Sequence, residues 1–145
     1  MIITMKAAGF VFLFGSVCFA SASQAAEHSF KNQSEINLFR YFTLASCIGK
    51  AYESDAKKLS ADTNKAANGY MEFGHMDIEA YIEAGELIKT WLSKDYQSKT
   101  GGQVDIMKCI DLFDSDDLNR LFRKYDPCES PQMWPDEDEF KTRCK

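Results

Sequence analysis

Histidine is scarce in this chain: two residues in 145, His28 and His75. There is no HExxH, no CxxC and no histidine pair at helical spacing, so the common zinc signatures are missing. The acidic run Asp114-Ser-Asp-Asp117 lacks the twelve-residue calcium-loop pattern and reads as a capped helix start. No metal or other cofactor is expected. Basic charge is also short. Lys and Arg number 17 against 22 Asp and Glu, a net charge of −5. Such a chain gains nothing from counterion release, which argues against DNA or RNA as a partner. An acidic surface suits a basic protein instead. Strand-like alternation, internal repeats and low-complexity tracts are missing, and proline occurs three times, from Pro127 onward. A phosphate loop is missing too. Ser98-Lys-Thr-Gly-Gly102 carries its Lys-Thr before the glycines, and no strand precedes it.

What is present begins with an export signal. Lys6 is followed by an apolar run from Ala7 to Ala20 and then by small residues through Ala26. Basic, apolar and small segments in that order describe a secretory signal peptide. Cleavage after Ala22 or Ala25 fits the small-x-small rule, and residues 1–25 are taken as the signal. The apolar run falls well short of the ~20 residues that span a bilayer, so no membrane association is expected after cleavage. Cys18 leaves with this segment. The mature chain, about 120 residues, suits one domain. Four cysteines remain: Cys47, Cys109, Cys128 and Cys144. An even number in an exported chain reads as two disulfides, with three possible connectivities. Cys47–Cys109 with Cys128–Cys144 is favoured, because the first would join two helices and the second would clip the proline-containing tail. On the chain-entropy view these loops stabilise by roughly 4 and 3 kcal/mol.

The periodicity is helical throughout. Ser34-Glu35 opens a first helix with a broad apolar stripe through Ile36, Phe39, Phe42, Ala45 and Ile48. A second runs from Ser54 or Asp55 to Phe73, with Leu59, Thr63, Ala66, Ala67 and Tyr70 inward and Gly69 offering a close approach. Asp77 caps a third, whose face is Ile78, Tyr81, Ile82, Gly85, Ile88 and Leu92. A fourth carries Ile106, Met107, Cys109, Ile110 and Phe113. Residues 115–117 cap a fifth, with Leu118, Leu121, Phe122 and Tyr125 inward. The expected fold is all-α, a single compact domain of about five helices stapled by disulfides. Residues 26–126 form this domain and residues 127–145 a clipped tail. Residues 97–103 connect the third and fourth helices as a polar loop. A cysteine nucleophile would need a histidine base, and Cys47 with His75 is the only sensible pair. Cys47 lies on a packing face with a disulfide candidate, so catalysis is not expected. The aromatics Tyr41, Phe42, Tyr70, Tyr81, Trp91 and Tyr96 fill a core or line a small apolar ligand pocket. That ligand-binding reading is the alternative function.

Five ordered segments resemble a known family: 44–52 around Cys47, 66–74 with its GYxxxG, 79–81, 91–101 and 107–112 with its KCID. Together they are similar to the type VI secretion amidase immunity proteins, the fourth Tai family. The resemblance runs from about residue 36 to Tyr125, and the tail lies outside it. It implies a periplasmic, all-helical homodimer. Its partner would be a secreted cysteine–histidine amidase that cuts peptidoglycan, blocked sterically so that kin cells do not lyse one another. The expected contact surface is Gln97, Ser98, Lys99, Thr100, Gly101, Gly102 and Gln103, since loops on a rigid scaffold often carry binding.

Overall fold

The computed structural model describes residues 32–145. The expected signal segment lies outside them. Six α-helices follow in order: α1 (Glu35–Ala51), α2 (Lys57–Phe73), α3 (Ile78–Leu92), α4 (Asp105–Phe113), α5 (Asp116–Lys124) and α6 (Glu137–Arg143). Helix α1 is central. Leu38, Phe39, Thr43, Ala45, Cys47 and Gly49 are buried around more than one side of it, and α2, α3, α4 and α5 all pack against it. Its apolar stripe is broad because it has neighbours in several directions.

Two faces differ from the sequence expectation, and small side chains explain both. On α2 the buried residues are Ser60 and Ala67, while Leu59 is 41% exposed. Helices α1 and α2 approach so closely that a Cβ on Gly49 would lie 2.8 Å from the Thr63 hydroxyl oxygen. Only small residues fit that seam, so the leucine turns outward. The close approach belongs to Gly49. Gly69, its expected site, has nothing within 4 Å. On α3 the inward row is Ala80, Tyr81, Ala84, Ile88 and Trp91. Ile78 and Ile82 are 58% and 60% exposed. Alanines at 80 and 84 let α3 lie close to its neighbours, and that rotates the isoleucines to the surface.

These seams make opposite predictions for two glycines. Gly49→Val is expected to destabilise by about 1–3 kcal/mol through overpacking. Gly69→Ala is expected to stabilise by up to about 1 kcal/mol through helix propensity. Chemical denaturation of the two variants checks the contrast.

Helix starts follow local hydrogen bonding. At α5 the Ser115 hydroxyl accepts from the Leu118 amide at 3.1 Å, as its sequence suggests. At α2 the start slips to Lys57, because the Ser54 hydroxyl donates to Asp55 at 2.9 Å and neither caps the helix. Asp77 holds the N-cap position of α3 without a side-chain capping bond.

Among the described residues two disulfides are present. Cys47–Cys109 ties α1 to α4 and both cysteines are fully buried, while Cys128–Cys144 closes the tail with both residues half-buried. A mild reductant in native buffer is therefore expected to open the tail bond well before the core bond. Mass mapping after timed alkylation reads the order.

The tail is more ordered than its composition suggests. The Asp136 carboxylate accepts from the Glu139 amide at 2.8 Å and caps α6, a helix not expected from the sequence. Trp134 donates to the Pro127 carbonyl at 3.0 Å, and its ring lies tilted against His75 with centroids 4.0 Å apart. Arg143, 4% exposed, donates to the Gln33 carbonyl at 3.3 Å. The tail thus packs back onto the start of α1 and the α2–α3 turn.

Candidate partner-binding loop

Residues 97–103 form a hydrogen-bonded hairpin. Gln97 and Gln103 make an isolated antiparallel bridge. The Ser98 amide donates to the Gly102 carbonyl at 2.9 Å, and the Gly101 amide to the Ser98 carbonyl at 3.0 Å. Gly101 and Gly102 have φ of +94° and +85°. That backbone region costs glycine little and strains other residues, so the turn itself requires both. The Thr100 amide donates to the Ser98 hydroxyl oxygen at 3.2 Å.

The stem is fastened by residues beyond the loop. The Asp95 carboxylate accepts from the side-chain amides of Gln97, at 2.7 Å, and Gln103, at 2.6 Å. These bonds, the Gln103 one foremost, hold its carboxyl below the usual range, and Lys108 adds a favourable field. Gln103 also accepts from the Tyr96 amide at 3.0 Å, and the Val104 amide donates to the Tyr96 carbonyl at 2.9 Å. The Tyr96 hydroxyl donates to Asp111 of α4 at 2.8 Å, a bond that raises its pKa.

Lys108 anchors the base. It is a lysine only 2% exposed, donating to the Leu92 carbonyl at the end of α3 (2.9 Å) and paired with Asp105 (2.7 Å). A buried ammonium is tolerated because both partners satisfy it. It joins the end of α3 to the start of α4 beneath the hairpin.

The expected contact residues therefore divide in two. Gln97 and Gln103 spend their amides inside the stem. Lys99, Thr100, Gly101 and Gly102 are exposed at the tip, with Ser98 half-buried beside them. Sequence reasoning missed Asp95 and Lys108, and it read Tyr96 as a core or pocket aromatic rather than as part of the stem. The signal was available only in part, since the two glutamines flanking the glycines lie two and eight residues from Asp95. Met107 and Ile110, expected on the apolar face of the fourth helix, are instead about half exposed on α4.

The residues weighed for other chemistry lie apart or are tied up. Cys47 is bonded to Cys109 and has no thiolate to offer. The His75 backbone amide donates to Glu35 at 2.8 Å, and its Nδ1 lies 3.2 Å from the same carboxylate. Glu35 is 1% exposed. It precedes Cys47 by twelve residues on α1, a rise of about 18 Å. The candidate pair is thus separated as well as blocked. Burial, with Glu35 nearby, pushes the Tyr81 phenol well up. Among the described residues no group of three His, Cys, Asp or Glu stands ready for a metal.

The aromatics pack on one another. Phe42 meets Tyr81 edge-on at 4.6 Å, and Tyr41 contacts Tyr70 at 5.4 Å and Phe113 at 5.8 Å. A cleft of about 510 Å³ lies under the tail, but Asp77, Lys124, Asp126 and Glu129 are among its walls. Charged walls do not suit a small apolar ligand.

A family model described as "Type VI secretion system (T6SS), amidase immunity protein", Tai4, matches residues 37–122. The chain belongs to the Tai4 family. Its fold is similar to the Salmonella typhimurium Tae4/Tai4 effector–immunity structure, at 26% identity and a TM-score of 0.62, covering 69% of this chain and 97% of that one. It is also similar to the Enterobacter cloacae Tae4–Tai4 complex, at 27% identity and a TM-score of 0.55, covering 61% and 88%. A Serratia marcescens structure of type VI-secreted toxins and self-resistance proteins shares the fold at 22% identity and a TM-score of 0.60, covering 81% and 86%. No curated protein matches. The family match ends at residue 122, so the Cys128–Cys144 clip lies outside the matched residues. Among the described residues no helix is long and apolar enough to cross a membrane.

Proposed function

We propose that this Tai4 protein is exported to the periplasm by residues 1–25, and there binds and sterically blocks a type VI secretion amidase. The cognate enzyme is a cysteine–histidine hydrolase of peptidoglycan, and blocking it protects the cell from its own and its kin's toxin. The observation that carries this reading is the exposed hairpin at 97–103, held on a disulfide-bonded scaffold of the immunity family. A glycine-tipped hairpin is narrow enough to enter an active-site groove and exclude substrate. The protein itself performs no catalysis, in keeping with a disulfide-locked Cys47 and a His75 engaged by Glu35. The tip residues Ser98, Lys99, Thr100, Gly101 and Gly102 make the contacts, with Gln97 and Gln103 holding the stem. Loss of Lys6 with the signal leaves 16 basic against 22 acidic residues, a net charge of −6 that favours encounter with a basic enzyme surface. The protein acts as a homodimer, with exposed Ile78 and Ile82 as apolar surface available to such contacts.

Co-expression of the mature chain with its cognate type VI secretion amidase tests this. A stable complex on co-purification, with cell-wall hydrolysis lost, is the expected result. Separate elution with full hydrolysis would end the reading. Light scattering of the free protein reads the dimer, and a strictly monomeric mass would remove that part alone.

A further inference from the structure

We propose that Asp95 is a positioning residue for inhibition, a clasp that holds the hairpin in its toxin-binding shape. This rests on the hairpin being the contact surface. The stem has one isolated backbone bridge, Gln97 to Gln103, and no strand ladder behind it. Side chains therefore supply much of its closure. One oxygen of Asp95 takes an amide donor from each side of the loop, Gln97 at 2.7 Å and Gln103 at 2.6 Å. A carboxylate is acceptor-only, so it receives both donors with no competing donor of its own. Charge-assisted bonds of this kind are the stronger class. Gln103 completes the clasp by accepting from the Tyr96 amide at 3.0 Å, so its one side chain bonds two positions ahead of the loop.

The need for a clasp follows from the tip. Two consecutive glycines with positive φ have much backbone freedom to lose when the loop docks. Ordering them beforehand removes that cost from binding. Asp95 is exposed and lies outside the core, so the helical body does not depend on it.

The test compares Asp95→Ala, Asp95→Asn and a chain with residues 98–102 replaced by Ser-Gly repeats, each against the cognate amidase by surface plasmon resonance. Hydrogen exchange and melting of the free proteins are read alongside. Asp95→Ala is expected to raise the dissociation rate about tenfold or more. Exchange at the Ser98, Gly101 and Val104 amides is expected to rise by a similar factor of about ten, with the melting temperature unchanged. Asp95→Asn, which keeps an oxygen acceptor, is expected to recover part of the loss. An unchanged dissociation rate in Asp95→Ala, with binding lost in the replaced loop, overturns the clasp and leaves the contact surface standing. Unchanged binding in the replaced loop overturns both. A fall in melting temperature that accounts for the lost binding also overturns the clasp, since Asp95 would then serve the fold.

Discussion

Replacing residues 98–102 with a Ser-Gly linker of equal length is expected to weaken amidase inhibition at least about hundredfold, or about 3 kcal/mol. The effect is large because the replaced residues take in the exposed tip, Lys99 to Gly102, with Ser98 beside it. Binding energy tends to concentrate in a few central residues, and a plug that no longer fits leaves substrate a path to the groove. The fold is expected to survive. The tip lies outside the core, and the Cys47–Cys109 bond and the Lys108 anchor remain in place. Titrating inhibition with purified proteins measures the first effect, and an unchanged melting curve verifies the second.

The largest expected effect on stability comes from Cys47→Ala with Cys109→Ala. This bond closes 62 residues of chain, and its loss is expected to cost about 4 kcal/mol on the loop-entropy account. Two fully buried side chains also shrink, which adds cavity cost. For a domain of this size the melting temperature is expected to fall by about 15 °C. Removing Cys128 and Cys144 is expected to cost less, at most about 3 kcal/mol, because that loop spans only 16 residues and lies at the edge of the fold. Calorimetry of the two double variants, compared with the oxidised parent, checks the order. Equal losses would place the tail on the same footing as the core.

Much of the architecture was legible in the sequence, for reasons that particular residues show. Ser115 followed by two aspartates marks a helix start, because a hydroxyl at that position meets free amides. The five core helices and their order follow from apolar spacing, and the disulfide joining the first helix to the fourth is the favoured one of three possible connectivities. The inward faces of α2 and α3 were less legible. Side-chain hydrophobicity pointed to Leu59, Ile78 and Ile82, yet the seams are set by Gly49, Ala80 and Ala84, where backbones come together. A residue's smallness matters only once its neighbour is known. Helix α6 was missed because its seven residues are mostly charged and carry no apolar period. Its stability comes from the Asp136 cap, the Trp134 contact and the disulfide.

The candidate site divides in the same way. Position was legible, since a polar segment with paired glycines between two helices must protrude. Its shape was not, because a bare linker and a hairpin share that composition. What makes it a hairpin is Asp95 meeting Gln97 and Gln103, together with a buried Lys108 beneath, and the sequence shows these residues without showing that they meet.

The most direct test of the central claim is a stoichiometric titration. The oxidised mature chain is added to a fixed amount of its cognate amidase, and release from purified peptidoglycan is followed. Hydrolysis is predicted to fall linearly to zero at a fixed ratio of the two proteins, with the equivalence point lost when residues 98–102 are replaced. Hydrolysis that stays constant across the titration would contradict the account.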